Sequence, residues 1–340
     1  MRLGLSTGYW GSGPPSGVVE AIEVADRLGF EHIWTAEAYG SDALTPLAWW
    51  GASTQNVKLG TSIMQMSART PAATAMAAMT MDHLSGGRFI AGIGASGPQV
   101  VEGWYGQPYS RPLERTREYV NIMRQIFARE DTVGFEGKHF QLPFPHGTGL
   151  GKPLKSTVHP YRKDIPIYLA AEGPKNVALS AEICDGWLPL FFAPKDNQFY
   201  KDALQSGMDV GGRNNWDDFE IAAMCSLIPG ADVEDCANKI RPMLALYVGG
   251  MGAKGKNFHF DVFVRMGFEA ECDKIQQLYL SGNKAEAIAA VPLEMCEAVA
   301  LLGPPSKIKD ELALWEESVV NTLLISGPPQ LLEFAADLVS

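Results

Sequence analysis

Eight short apolar, strand-like runs alternate with helical patterns along this chain, and that alternation constrains the fold more than any other feature. The runs are Arg2 to Thr7, His32 to Ala36, Val57 to Met64, Arg88 to Gly92, Ile165 to Ala170, Gly186 to Phe191, Phe219 to Leu227 and Val319 to Ile325. Between the first two, Val18, Ile22, Ala25 and Leu28 share one helical face and stop at Gly29, where a left-handed C-cap suits glycine. Further helices are expected at Leu44 to Gln55, Pro71 to Leu84, Pro112 to Arg129 and Pro174 to Ile183, the last with proline at its first position. Parallel strands require crossover helices, so the pattern is that of an α/β protein, either a (β/α)8 TIM barrel or a doubly wound sheet. The count of strands favours the barrel, and no G-x-G-x-x-G turn follows the first strand, where a dinucleotide-binding sheet would carry it.

Two stretches exceed ordinary connection lengths: 130–164, rich in Gly, Pro and aromatic residues, and 249–303, which holds helical pieces such as Cys272 to Leu280. In a barrel, insertions of this kind shape or cover the mouth. The helix through Ile308, Leu312 and Trp315 leads straight into the last strand, so residues 1–340 are expected to form a single domain.

Charge and cysteine usage exclude several functions. There are 28 basic and 39 acidic residues, a formal charge of −11, and no lysine or arginine cluster that could track a phosphate backbone, so nucleic acid is not an expected partner. The five cysteines are far apart and form no C-x-x-C pair, which argues against zinc or a redox dithiol, and no metal site is expected. Residues 1–10 alternate as a strand rather than as a signal peptide, and the apolar stretches fall short of the roughly 20 residues a membrane span needs. A cytoplasmic protein is expected.

Barrel active sites lie at the C-terminal ends of the strands, which narrows the search to the residues just after each run. These are Gly8 to Gly11, Glu37-Ala38-Tyr39, Ser62-Ile63-Met64-Gln65, Gly92-Ile93-Gly94-Ala95-Ser96-Gly97 and Ala170-Ala171-Glu172-Gly173-Pro174. The last two loops are rich in small residues that let backbone N–H groups approach a ligand, and the final one enters a helix N-terminus suited to a phosphate. Glu37 is a carboxylate at the end of an otherwise apolar strand, a position that rarely serves packing. A salt bridge across the mouth is its plainer role. The aromatics Tyr9, Trp10, Tyr39, Trp104 and Tyr105 suit a planar ring or an apolar substrate. No nucleophile elbow or Ser-His-Asp order can be placed, so covalent hydrolysis has no support.

Five segments in this order resemble the bacterial luciferase-like monooxygenase superfamily, in particular its branch of coenzyme F420 (deazaflavin)-dependent oxidoreductases. They are Gly29-Phe30 with Trp34-Thr35-Ala36-Glu37; Leu59-Gly60-Thr61-Ser62; Asp82-His83-Leu84-Ser85-Gly86-Gly87-Arg88 with Gly92-Ile93-Gly94; Ala170 to Pro174; and Cys184-Asp185-Gly186-Trp187. The resemblance covers nearly the whole chain. It implies a barrel that binds a flavin or deazaflavin with the ring in the mouth. Glu37 then matches the acid that contacts the ring system, and Ser62-Ile63, with Gln65 beyond, matches a bulge holding a non-prolyl cis peptide behind the ring. Ala170, Ala171, Glu172, Gly173 and Pro174 match the phosphate loop, with Gly94, Ala95 and Ser96 approaching from the neighbouring strand.

Two departures qualify the match. Ala38 stands where the sugar-phosphate dehydrogenase branch carries a histidine, which argues against sugar-phosphate oxidation by that mechanism. Glu172 replaces a small residue of some relatives and puts a carboxylate beside a phosphate, a clash relieved only if it points away or pairs with a base such as Lys175. The expected function is hydride transfer between coenzyme F420 and a small organic substrate, apolar or aromatic, with Glu37 and Tyr39 as candidate proton donor or acceptor. The alternatives are an FMN-dependent monooxygenase of the same family and a non-catalytic flavin-binding protein. A homodimer is expected from the resemblance.

Overall fold

The computed structural model describes every residue except 253, 254 and 256. Eight parallel strands close a ring: β1 (Arg2–Ser6), β2 (His32–Thr35), β3 (Lys58–Thr61), β4 (Phe89–Gly94), β5 (Ile167–Ala170), β6 (Gly186–Leu188), β7 (Glu220–Met224) and β8 (Thr322–Ile325). Neighbours in the chain are neighbours in the sheet, and Leu3 opposite Leu323 seals β1 against β8. This is the (β/α)8 barrel expected from the strand count.

The helices lie between the strands and end where local chemistry ends them. Helix Pro71–Ser85 begins with the Thr70 hydroxyl accepting from the Ala73 N–H (3.2 Å) and Pro71 at its first turn, and it stops at Gly86 in the left-handed region. Helix Val18–Leu28 stops in the same way at Gly29. The helix from Leu44 ends at Gly51 instead of Gln55, because the Ser53 and Thr54 hydroxyls donate back to the carbonyls of Trp50 and Gly51 and take over the last turn.

Trp34, Ile90, Tyr168, Leu188, Ala222 and Leu324 fill the barrel interior, one from each of β2 and β4 to β8. Ile63, Ala170 and Met224 pack against this layer. Below it, at the N-terminal ends of the strands, Glu220 collects a polar cluster. The Tyr168 hydroxyl donates to its Oε2 and the Thr322 hydroxyl to its Oε1, each at 2.5 Å, while Arg2 Nη2 and His32 Nε2 lie 3.2 Å from the carboxylate. Burial alone would raise this carboxyl, but the groups from His32, Thr322 and Tyr168 overcome it and hold the pKa at about 2.

The expected third and seventh strands both break. After Thr61 the chain steps out of the sheet through a cis peptide between Ser62 and Ile63 and resumes pairing at Met64–Gln65, opposite Ile93 and Gly94. The apolar run 219–227 divides at Cys225. Glu220–Met224 stays in the barrel, whereas Ser226–Pro229 leaves it to pair with Ala300–Gly303.

That second pair opens a long excursion. Among the described residues five helices follow between its strands: Val233–Gly249, Phe258–Arg265, Glu269–Leu280, Lys284–Ala289 and Leu293–Ala298. They enclose a core of their own around Leu244, Val248, Phe263, Ile275 and Met295, joined from the barrel side by Phe191. The 130–164 stretch instead forms a short antiparallel pair, Phe135–Glu136 with Gln141–Leu142, whose turn is held by the Glu118 carboxylate accepting from the N–H groups of Lys138, His139 and Phe140. All five cysteines are buried and free. Among the described residues no helix is long and apolar enough to cross a membrane, and no three metal-ligating side chains converge.

Candidate active site

The C-terminal ends of β2 to β6 converge on one mouth, and most of the residues singled out from the sequence stand around it. Glu37 follows β2 and is 6% exposed. Its Oε2 accepts from the Gln65 backbone N–H and from Arg69 Nη1, both at 2.7 Å, and its carbonyl accepts from Gln65 Nε2 at 3.3 Å. The carboxylate is therefore engaged in a charge-assisted pair that ties the loop after β2 to the segment after β3. Arg69 was not foreseen; it lies 32 residues away and carries no motif. Removing this partner leaves Arg69 half-buried without its counter-ion, so Glu37→Ala is expected to fold but to lose about 1.5–3 kcal/mol, read by urea unfolding.

Behind this pair the floor of the mouth is small and apolar. A Cβ on Gly94 would come within 2.9 Å of Ile63 Cδ1 and 3.6 Å of the Ala170 methyl, so β4, the Ser62–Ile63 step and the end of β5 meet there. Gln65 Oε1 is buried with no protein partner. Ser96, just past β4, adopts φ +59°, uncommon for a residue with a side chain.

The loop after β5 reaches the N-terminus of helix Pro174–Ile183, with Gly173 as N-cap and Pro174 in the first turn. The Ala170 carbonyl accepts from Asn176 Nδ2 (3.4 Å), the Ala171 carbonyl from Trp187 Nε1 (2.8 Å), and Asn176 Oδ1 is buried without a partner. Glu172 points away from the helix end. Its Oε1 accepts from the Leu190 N–H at 3.1 Å, and its carbonyl accepts from Arg265 Nη2 at 2.8 Å. Lys175, the base suggested by sequence, is exposed; among the described residues Arg265, from the second excursion, reaches this loop. Burial pushes the Glu172 carboxyl up to about 8, against the opposing pull of the Leu190 N–H and Arg265.

Tyr39 stands exposed on the rim and is not brought into the Glu37 pair. Tyr9, also on the rim, has its hydroxyl beside that of Tyr247, which the excursion contributes. Tyr247 packs edge-on against His259 (4.8 Å between centroids) and Phe191 (5.3 Å). Desolvation lowers the His259 pKa to about 4, so its ring is neutral at physiological pH. Trp10 instead tilts onto Trp50 at 5.9 Å and helps seal the top. Tyr247, His259 and Arg265 lie in a stretch whose local pattern is simply helical, and only the fold places them here.

A family model described as luciferase-like monooxygenase matches residues 3–322. The chain belongs to this family. Within the luciferase-like proteins it is 51% identical, over 96% of its length and 95% of the other's, to a Mycobacterium tuberculosis protein provisionally described as a coenzyme F420-dependent oxidoreductase. It is 28% identical, over 91% of its length and 88% of the other's, to the 5,10-methylenetetrahydromethanopterin reductase of Archaeoglobus fulgidus. Among solved structures, the F420-dependent tetrahydromethanopterin reductase of Methanopyrus kandleri superposes with a TM-score of 0.82 at 23% identity, covering 98% of this chain and 97% of that one, and so shares the luciferase-like fold. The five ordered segments had pointed to the same family, and the non-prolyl cis peptide falls at the step where the resemblance placed it.

Proposed function

We propose that this protein is an oxidoreductase that uses coenzyme F420 to transfer a hydride to or from a small organic substrate, apolar or aromatic, held at the barrel mouth. One observation carries the reading. A floor of small apolar atoms at Ile63, Gly94 and Ala170 is bordered by buried, unpartnered amide oxygens of Gln65 and Asn176 and opens on a helix N-terminus. Such a surface suits a planar ring with polar edges and an anionic tail. The 51% identical relative supports the choice of deazaflavin.

When bound, coenzyme F420 supplies a two-electron hydride carrier at C5 of its ring. Ile63, Gly94 and Ala170 would support the ring, Glu37 would hold Gln65 and Arg69 at its edge, and Ala95 and Ser96 would approach the phosphate from β4. Ala170, Ala171, Glu172, Gly173 and Pro174 would present main-chain groups to that phosphate. Beside β4, the buried Ser67 hydroxyl lacks a protein partner and Arg115 donates to the Pro108 carbonyl, an arrangement that also suits negative charge. The phenol of Tyr39 is assigned the proton transfer, since the Glu37 carboxylate is committed to Arg69. We read residues 1–340 as one domain acting as a homodimer, the assembly implied by the family resemblance; sedimentation equilibrium checks this.

The deciding experiment is a fluorescence titration of the purified protein with coenzyme F420 and, separately, with FMN. Saturable micromolar or tighter binding of F420 with weak FMN binding supports the reading. The reverse order promotes the FMN-dependent monooxygenase, and binding of neither overturns both. Gly173→Val sharpens the test, because a Cβ at Gly173 meets no atom within 4 Å. The variant is expected to keep the melting temperature of the parent while losing about tenfold or more in cofactor affinity, because its side chain would fill the space above the helix end.

A further inference from the structure

Beside β4 an arginine stands without a counter-ion. Arg115 lies near the N-terminus of helix Pro112–Ala128. Its Nη1 donates to the Pro108 carbonyl at 3.2 Å, and its guanidinium sits over the Phe140 ring, 5.6 Å from the centroid. Its neighbours Arg111 and Arg117 pair with Glu114 and Glu182, whereas among the described residues no carboxylate reaches Arg115. The acids nearest in the chain are already engaged. Glu114 also holds Lys138, Glu118 accepts from the N–H groups of the 138–140 turn, and Glu102 accepts from the Tyr109 N–H. Burial pulls the Arg115 pKa below its usual value, opposed by the Tyr119 phenol and by no acid.

A cavity of about 20 Å³ lies against this arginine, lined also by Met66, Ser67, Ala95, Tyr109 and Pro112. Met66 and Ala95 directly follow Gln65 and Gly94, so the cavity borders the floor of the mouth, and none of its lining comes from the loop after β5. The Ser67 hydroxyl is buried there with no protein partner. An orphaned hydroxyl and a half-buried guanidinium are both costly to leave unmet, and one carboxylate satisfies them together, one oxygen for each donor. Size narrows the choice. Such a volume holds about one water-sized group, enough for a carboxylate oxygen but not for a tetrahedral phosphate.

We propose that Arg115 and Ser67 form a carboxylate-binding site at the edge of the ring floor, distinct from the loop after β5. Coenzyme F420 carries lactyl and glutamyl carboxylates beyond its phosphate, and an acidic substrate would bring one of its own. Only the cofactor's share in the site rests on the proposed function. Arg115 makes the charge-assisted bonds, and the Ser67 hydroxyl donates to the second oxygen.

The test measures dissociation constants of F420, and of the same deazaflavin ending at a 5′-phosphate with no carboxylate, in the wild type, Arg115→Gln and Ser67→Ala. F420 affinity is expected to fall about tenfold in Arg115→Gln and about threefold in Ser67→Ala, while the truncated ligand changes by less than about twofold. Equal losses for both ligands overturn the proposal, since the arginine then serves the phosphate or the fold. Arg115→Gln also gives up Pro108 and Phe140; if it does not fold, Ser67→Ala, which keeps both contacts, decides. Saturation-transfer NMR with acetate separates the two sources. A signal is expected from the wild type and not from Arg115→Gln. Its suppression by F420 assigns the site to the cofactor's tail, and its persistence, with F420 affinity unchanged in Arg115→Gln, assigns it to the substrate. No acetate signal together with unchanged F420 affinity overturns the site. Failure of F420 to bind the wild type overturns the proposed function instead, and the acetate comparison alone then judges Arg115 and Ser67.

Discussion

Glu220→Ala is expected to cost about 3–5 kcal/mol of unfolding free energy, because it leaves Arg2, His32, Tyr168 and Thr322 facing a hole under the barrel without the anion they surround. Urea unfolding followed by tryptophan fluorescence would report it as a lower midpoint at unchanged slope. The same carboxylate sets an acid limit. Its folded pKa, about 2, lies below the 4.5 of a free glutamate, so its contribution is complete above pH 4.5 and is lost as the pH falls towards 2. That loss amounts to about 3 kcal/mol, and Glu220→Gln should flatten stability over this window. Equal midpoints for wild type and Glu220→Ala at pH 7 would refute the assignment.

Gly92→Ala is expected to be comparably damaging at the other end of the barrel. A Cβ there would stand 1.7 Å from the Thr61 carbonyl oxygen, and that oxygen belongs to main chain that cannot swing aside. Here the Thr61 hydroxyl donates to the Gly92 carbonyl (2.8 Å) and accepts from the Gly92 N–H (3.0 Å). A side chain thus takes over the β3–β4 ladder where the main chain turns out towards Ser62 and Ile63. Forcing the strands apart is expected to cost about 3 kcal/mol or more and to displace the floor of the mouth. Calorimetry and flavin titration on one preparation would test both effects. A parent-like melting temperature would show that the seam yields more easily than its geometry implies.

How much of this could be read from the chain depends on the range of the interaction involved. The barrel was legible because each strand is a short apolar run punctuated by turn residues, and Gly29 and Pro174 act on their own helices without help from distant sequence. The division at Cys225 was hidden, because Ile221 to Cys225 is an unbroken apolar run and periodicity cannot tell which sheet a buried residue joins. The positions of Glu37, Gln65 and the loop from Ala170 to Pro174 followed from the rule that barrel chemistry sits at strand ends. Their partners did not. Arg69 and Arg265 reach their acceptors across 32 and 93 residues, and nothing within a window of a few turns distinguishes either from a solvated arginine. Glu220 was passed over as the start of a strand for the same reason: its donors come from four different strands.

The parallel pairing of Ser226–Pro229 with Ala300–Gly303 has a consequence for how such a barrel can diversify. The chain leaves the scaffold and returns to it through two strands that are clamped side by side, so the ends of everything between them are held at a fixed spacing. Lengthening or recomposing that span costs little in closure entropy, which grows only logarithmically with loop length. Its helices pack chiefly on one another while lending Tyr247 and Arg265 to the rim. The arrangement resembles an interchangeable tool head on a common handle: the ring of strands can stay constant while the walls around the barrel mouth are redrawn.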